Sequence, residues 1–110
     1  MIDLPSTIKQ DNKRKILETA HGMLDGKINL IEGSRIINRL KYTVDEEENP
    51  LFNVFHVVSS DTENIPLDQK TRINFGEEYL KKSDEEMKSY LKDMGESVID
   101  ACRKLIQSYS

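Results

Sequence analysis

The sequence predicts an all-α fold: a small single-domain helical bundle with an antiparallel N-terminal helix pair, short middle helices and a long C-terminal helix. Three observations carry this. Apolar residues recur at helical spacing through most of the chain, cap and stop residues punctuate them, and the segments flanking the one Asp-Gly turn lack the period of two that a strand hairpin shows. The 110 residues suit one hydrophobic core, so 1–110 is read as a single helical domain.

Ile16, Leu17, Ala20, Met23 and Leu24 fall on one face of a helix, and Ile8 extends that stripe two turns back. Ser6 suits the N-cap, and Gly26 suits the left-handed residue that follows a last turn. A second helix opens after a short linker, with Asn29 as cap and Glu32 placed to complete a capping box. Its apolar face is Leu30, Gly33, Ile36, Ile37, Leu40 and Val44, and Gly33 in the middle of that face admits close approach of a neighbouring helix.

Asp45-Glu46-Glu47-Glu48 reads as loop, and Asn49-Pro50 as a cap followed by proline at the first helical position. Leu51, Val54, Phe55 and Val58 then predict a short helix over 50–59, with a buried strand as the alternative. Residues 60–74 read as the longest loop. Asn74 with Glu77 and Ser83 with Glu86 repeat the cap signature, which predicts a short helix over 75–82 and a long one from Asp84 to Tyr109. Met87, Leu91, Met94, Val98, Ala101, Leu105 and Tyr109 form its stripe, and Gly95 is its weak point.

No known catalytic spacing surrounds His21 or His56, which read as partly buried structural residues, and Cys102 reads as a small core residue. One cysteine and two histidines disfavour a transition-metal site, and no calcium-loop spacing occurs, so no cofactor is expected. Glu32 with Arg35 and Arg39 reads as a helix-surface charge set. No run approaches the roughly 20 apolar residues that span a bilayer, and Met1-Ile2-Asp3-Leu4-Pro5 lacks the order of a secretory signal; a cytoplasmic protein with no membrane partner is expected.

Charge is more informative. Lysine and arginine total 16 against 20 aspartate and glutamate, a net charge of −4, yet 43–69 carries Asp45, Glu46, Glu47, Glu48, Asp61, Glu63 and Asp68 with no lysine or arginine. Such a segment attracts basic proteins and repels phosphate backbones, so these seven residues are the expected partner-binding set and nucleic acid is not an expected partner. The plain alternative is a solvated acidic loop. Catalysis by Asp61, Glu63 and Asp68 would require the three carboxylates to converge in one pocket.

Gly22-Met23-Leu24-Asp25-Gly26, Ile31-Glu32-Gly33-Ser34-Arg35, Ser60-Asp61-Thr62, Ile65-Pro66-Leu67, Arg72 and Ala101-Cys102-Arg103 together resemble a family of small bacterial proteins of unassigned function. The resemblance covers roughly 16–106, with Phe75 where tryptophan is expected. Proteins of this look also recur as immunity proteins of bacterial competition, including contact-dependent growth inhibition. By that analogy the chain is a non-enzymatic toxin inhibitor whose partner is a cognate toxin domain, a basic protein. A self-associating structural or regulatory module, forming a homo-dimer through the last helix, is the second expectation.

Overall fold

The computed structural model describes residues 6–109, and no strand forms among them. Helix α1 spans Ser6–Leu24, and the capping role expected of the Ser6 side chain lies outside what is described. At its other end Gly26 adopts a φ of +74°, and the Gly26 and Lys27 amides donate back to Met23 and Gly22 carbonyls at 3.2 and 2.9 Å. Those two bonds make the left-handed helix stop expected of Asp25-Gly26. Ile28 then folds over Gly22, where an added Cβ would lie 2.6 Å from its Cδ1.

Helix α2 (Leu30–Leu40) starts at Asn29, whose Oδ1 accepts from the Ile31 and Glu32 amides at 2.8 and 3.2 Å. Glu32 stays exposed and completes no capping box. The buried face is Ile31, Gly33, Ser34 and Ile37, rotated from the expected stripe because the Ser34 hydroxyl donates to the Leu30 carbonyl at 2.7 Å and so tolerates burial. Lys9, early in α1, reaches Asp45 beyond the end of α2, while Met23, late in α1, packs on Gly33 near its start; the pair is antiparallel.

Past a 3₁₀ turn over Lys41–Thr43, Asn49 caps a second one over Pro50–Phe52, accepting from the Leu51 amide at 3.0 Å. The chain continues directly into α3 (Asn53–Asp61), so this segment is helix and not strand. Phe52, Phe55 and Val58 turn inward, the two rings meeting edge to face at 6.5 Å. The expected 60–74 loop is shorter, because α3 extends to Asp61 and one turn, α4, forms over Gln69–Arg72.

The last helix differs most from expectation. Helix α5 (Glu77–Tyr109) runs without a break for 33 residues, roughly 48 Å at about 1.5 Å per residue, and sets the 46 Å long dimension. Ser83 is buried inside it rather than capping a second helix, because no proline or glycine interrupts 77–94. Nor does Asn74 cap it: the Gly76 carbonyl accepts the first helical bond, from Leu80 at 3.1 Å. The core gathers Ile16, Ala20 and Met23 of α1, Ile31 and Ile37 of α2, Phe52 of the second 3₁₀ turn, Phe55 and Val58 of α3, and Val98, Cys102 and Leu105 of α5. Ile8 lies beyond it, 42% exposed.

Candidate partner-binding surface

The acidic segment is divided by the fold. Asp45, Glu47 and Glu48 lie exposed between the two 3₁₀ turns, with Glu46 half-buried beside them. Asp45 has a left-handed φ of 58° and pairs with Lys9 at 2.6 Å, and Glu46 accepts the Asn49 side-chain amide at 2.7 Å. Glu46 also acts on Tyr109, whose hydroxyl is buried and held up to about 12, chiefly by burial and secondly by that carboxylate.

Asp61, Glu63 and Asp68 lie at the other end of α3. Tyr90 donates to Asp61 Oδ2 at 3.0 Å, and burial followed by this bond pushes its hydroxyl up to about 12, so it remains a donor at physiological pH. Tyr90 and Tyr109 mark the two acidic ends, roughly 28 Å apart on a helix that rises about 1.5 Å per residue. A standard interface covers about 800 Å² per partner, a disc on the order of 30 Å across. One interface of standard size would therefore reach from one acidic end to the other or cover a single end.

The loop between Asp61 and Asp68 is held by two arginines, Arg35, read from the sequence as part of a surface charge set, and Arg72. Arg35 donates to the carbonyls of Thr62 and Ile65, the latter at 3.1 Å, from α2 beneath it. Desolvation in this position lowers its pKa, with Glu32 opposing. Arg72 donates to the Pro66 carbonyl at 2.9 Å and, in a two-pronged pair, to both carboxylate oxygens of Asp84 at 3.0 Å. Arg35 thus serves the loop rather than only a surface charge set. The Ser60-Asp61-Thr62 and Ile65-Pro66-Leu67 stretches, Arg35 and Arg72 meet in space as one loop-bracing unit.

Two clefts flank this loop. One, of about 410 Å³, includes Asp61, Ile65, Tyr79, Lys82, Glu86 and Tyr90 in its lining. The other, of about 350 Å³, is lined in part by Arg35, Glu63, Asp68 and Phe75. Asp61 therefore faces one cleft while Glu63 and Asp68 face another, and the convergence needed for paired-carboxylate chemistry by this trio is missing. Among the described residues no three His, Cys, Asp or Glu side chains gather at metal-binding distance.

Lys82 lines one cleft and Arg35 the other, both from outside 43–69, so the field is less uniformly negative than the linear charge count suggests. Sequence reasoning missed the aromatic contribution. Tyr79 and Phe75 stack at 4.6 Å with an interplanar angle of 14°, and Ile73, two residues before Phe75 in the chain, is 76% exposed. The signal was present: counting back from Tyr90 by four, seven and eleven gives Glu86, Ser83 and Tyr79, one stripe of an uninterrupted helix.

The remaining candidates line neither cleft. His21 and His56 are both exposed, contrary to the expectation of partial burial, because each lies outside the inward stripe of its helix. Cys102 is fully buried, 3.8 Å from Met23 Sδ, and burial pushes its thiol up to about 11. No described helix is long and apolar enough to cross a membrane. Comparison with protein-family models, characterised proteins and solved structures finds no match, so the functional reading rests on these residues.

Proposed function

We propose that this chain is a cytoplasmic, non-enzymatic binding protein of the immunity type, which neutralises a basic toxin domain, of nuclease class, by docking an acidic surface on it. The observation that carries the reading is the 43–69 segment: seven carboxylates, no lysine or arginine, and six of those carboxylates exposed. Enzymes that act on RNA or DNA present basic clefts, and an acidic surface both steers toward such a cleft and competes with its substrate. The exposed aromatic pair beside the second acidic end adds the residue types that dominate binding energy at protein interfaces.

The test is to mix the protein with the product of the adjacent gene and to titrate salt. Binding that weakens with ionic strength, and with neutralisation of Asp45, Glu46, Glu47 and Glu48 or of Asp61, Glu63 and Asp68, is expected. No binding, or binding indifferent to both sets, counts against this surface. A homo-dimer is the second reading, favoured by the exposure of Ile73, Phe75 and Tyr79. Sedimentation that shows concentration-dependent dimers without a second protein selects it.

A further inference from the structure

We propose that the cleft between the N-terminal half of α5 and the Asp61–Ile65 loop is the receptor for an arginine side chain of the basic partner. The inference rests on the partner-binding reading and names the anchor within it. Three features of the cleft suit a guanidinium and its aliphatic stem.

Carboxylates come first. Asp61 and Glu86 face the cleft from opposite elements, against Lys82 as the cation in its lining. Tyr90 occupies Asp61 Oδ2 and orients that carboxylate, leaving Oδ1 for an incoming donor. Lys82 is exposed, and its flexible stem lets the ammonium move aside into water.

Aromatic side chains come second. Tyr79 and Tyr90 line the cleft, and arginine, planar and weakly hydrated, lies on aromatic faces while it pairs with carboxylates. Stacking on Phe75 restricts the Tyr79 ring before any ligand arrives, which lowers the ordering cost of binding. Third, the space of about 410 Å³ admits a long side chain rather than only a small ion. Phe75, stacked on Tyr79, supplies exposed apolar surface beside it, of the kind that excludes water around an anchor.

The other acidic end lacks these provisions. Asp45 is already paired with Lys9, and Glu46 holds Asn49. The exposed Tyr42 ring there carries the protein's own cation, with Lys41 Nζ 5.0 Å from its centroid.

The experiment is an NMR titration of the isotope-labelled protein with Nα-acetylargininamide, and in parallel with the uncharged citrulline analogue. Arginine is expected to shift the amide signals of Asp61, Tyr79, Glu86 and Tyr90, and citrulline is not. The double variant Asp61→Asn, Glu86→Gln removes both charges while keeping a side-chain oxygen at position 61 to accept from Tyr90. It is expected to weaken the arginine response about tenfold, the scale of lost charge-assisted hydrogen bonds. Equal responses to both probes, or arginine shifts centred elsewhere, overturn the proposal. Should the double variant misfold, Tyr79→Ser at an exposed position replaces it, and an undiminished arginine response then overturns the proposal. The adjacent-gene product separates the two levels: if it binds the wild type and the double variant equally, the cleft fails and partner binding stands. If it does not bind while arginine shifts the cleft signals, partner binding by that protein fails and the cleft stands.

Discussion

Between Gly95 and Leu105, α5 buries Gly95, Val98, Ala101, Cys102 and Leu105, whereas between Glu77 and Met94 it buries only Ser83. The same helical stripe runs through both halves. In the C-terminal half it is apolar and joins the core with α1, α2 and the α3 segment; in the N-terminal half Tyr79, Ser83, Glu86 and Tyr90 line an open cleft beside a loop, and Met87, Tyr90, Leu91 and Met94 reach the core only partly buried. The difference teaches that one continuous helix can carry the core at one end and an open cleft, the proposed recognition site, at the other. Stiffness is what they share, because a helix anchored in the core presents the cleft residues on a fixed frame.

The sharpest way to break this comparison is to truncate a side chain in each half. Leu105→Ala removes a fully buried group and is expected to cost about 2–5 kcal/mol in urea or thermal unfolding. Tyr79→Ala, at a residue 47% exposed, should change stability by only about 0.5 kcal/mol. Comparable losses from the two would dissolve the division.

Gly33→Ala comes next in size. An added Cβ would overlap Met23 Sδ, and Met23 is itself confined against Cys102 on the core half of α5. Overpacking at such a site costs about 1–3 kcal/mol, so a lowered midpoint with unchanged denaturant slope is expected. A neutral result would mean that α1 and α2 separate without resistance.

Gly95→Ala, at the boundary between the halves, is expected to act in the opposite direction. Its Cβ would meet Leu30 Cδ1 at 3.9 Å, ordinary contact, and replacing glycine in a helix interior gains up to about 1 kcal/mol. Loss of stability there would show that the junction needs a flexible residue.

The smallest effect is local to the cleft half. Arg72 holds the Asp84 carboxyl below its ordinary value of 3.8, first through their hydrogen bonds. A carboxyl lowered in the folded state contributes stability that is present above its unfolded value and disappears as pH falls through the folded one. Amide protection in the 66–72 segment, corrected for the intrinsic pH dependence of exchange, should therefore stay steady down to about pH 5 and fall only at more acid pH, around and below about 4. Arg72→Gln should loosen it at neutral pH while leaving Leu105 and its neighbours protected. Uniform loosening across both halves is the contrary outcome.

Much of the bundle was legible from local chemistry. Gly26 stops a helix because only a left-handed residue continues that corner, and Asn29 and Asn49 cap because their side chains reach amides two residues on. Ser83 misled for the same local reason: serine with glutamate three residues later looks like a helix start, and only the tertiary frame shows that the helix is already under way. The acidic segment was legible as composition but not as geometry. Its division into two ends follows from α3 running between them, and the clefts near Asp61 depend on Arg35, Arg72, Tyr79 and Tyr90, which are distant in sequence. A linear charge count has no access to residues brought in from other elements.

Cys102 gives the core half its own clock. The single thiol of the chain is sealed between α1 and α5, so a thiol reagent reaches it only when those helices part. The rate of its modification in native buffer reads the opening of that seam without any added label, and a partner that grips only the cleft half should leave this rate less affected than one that clamps the whole face.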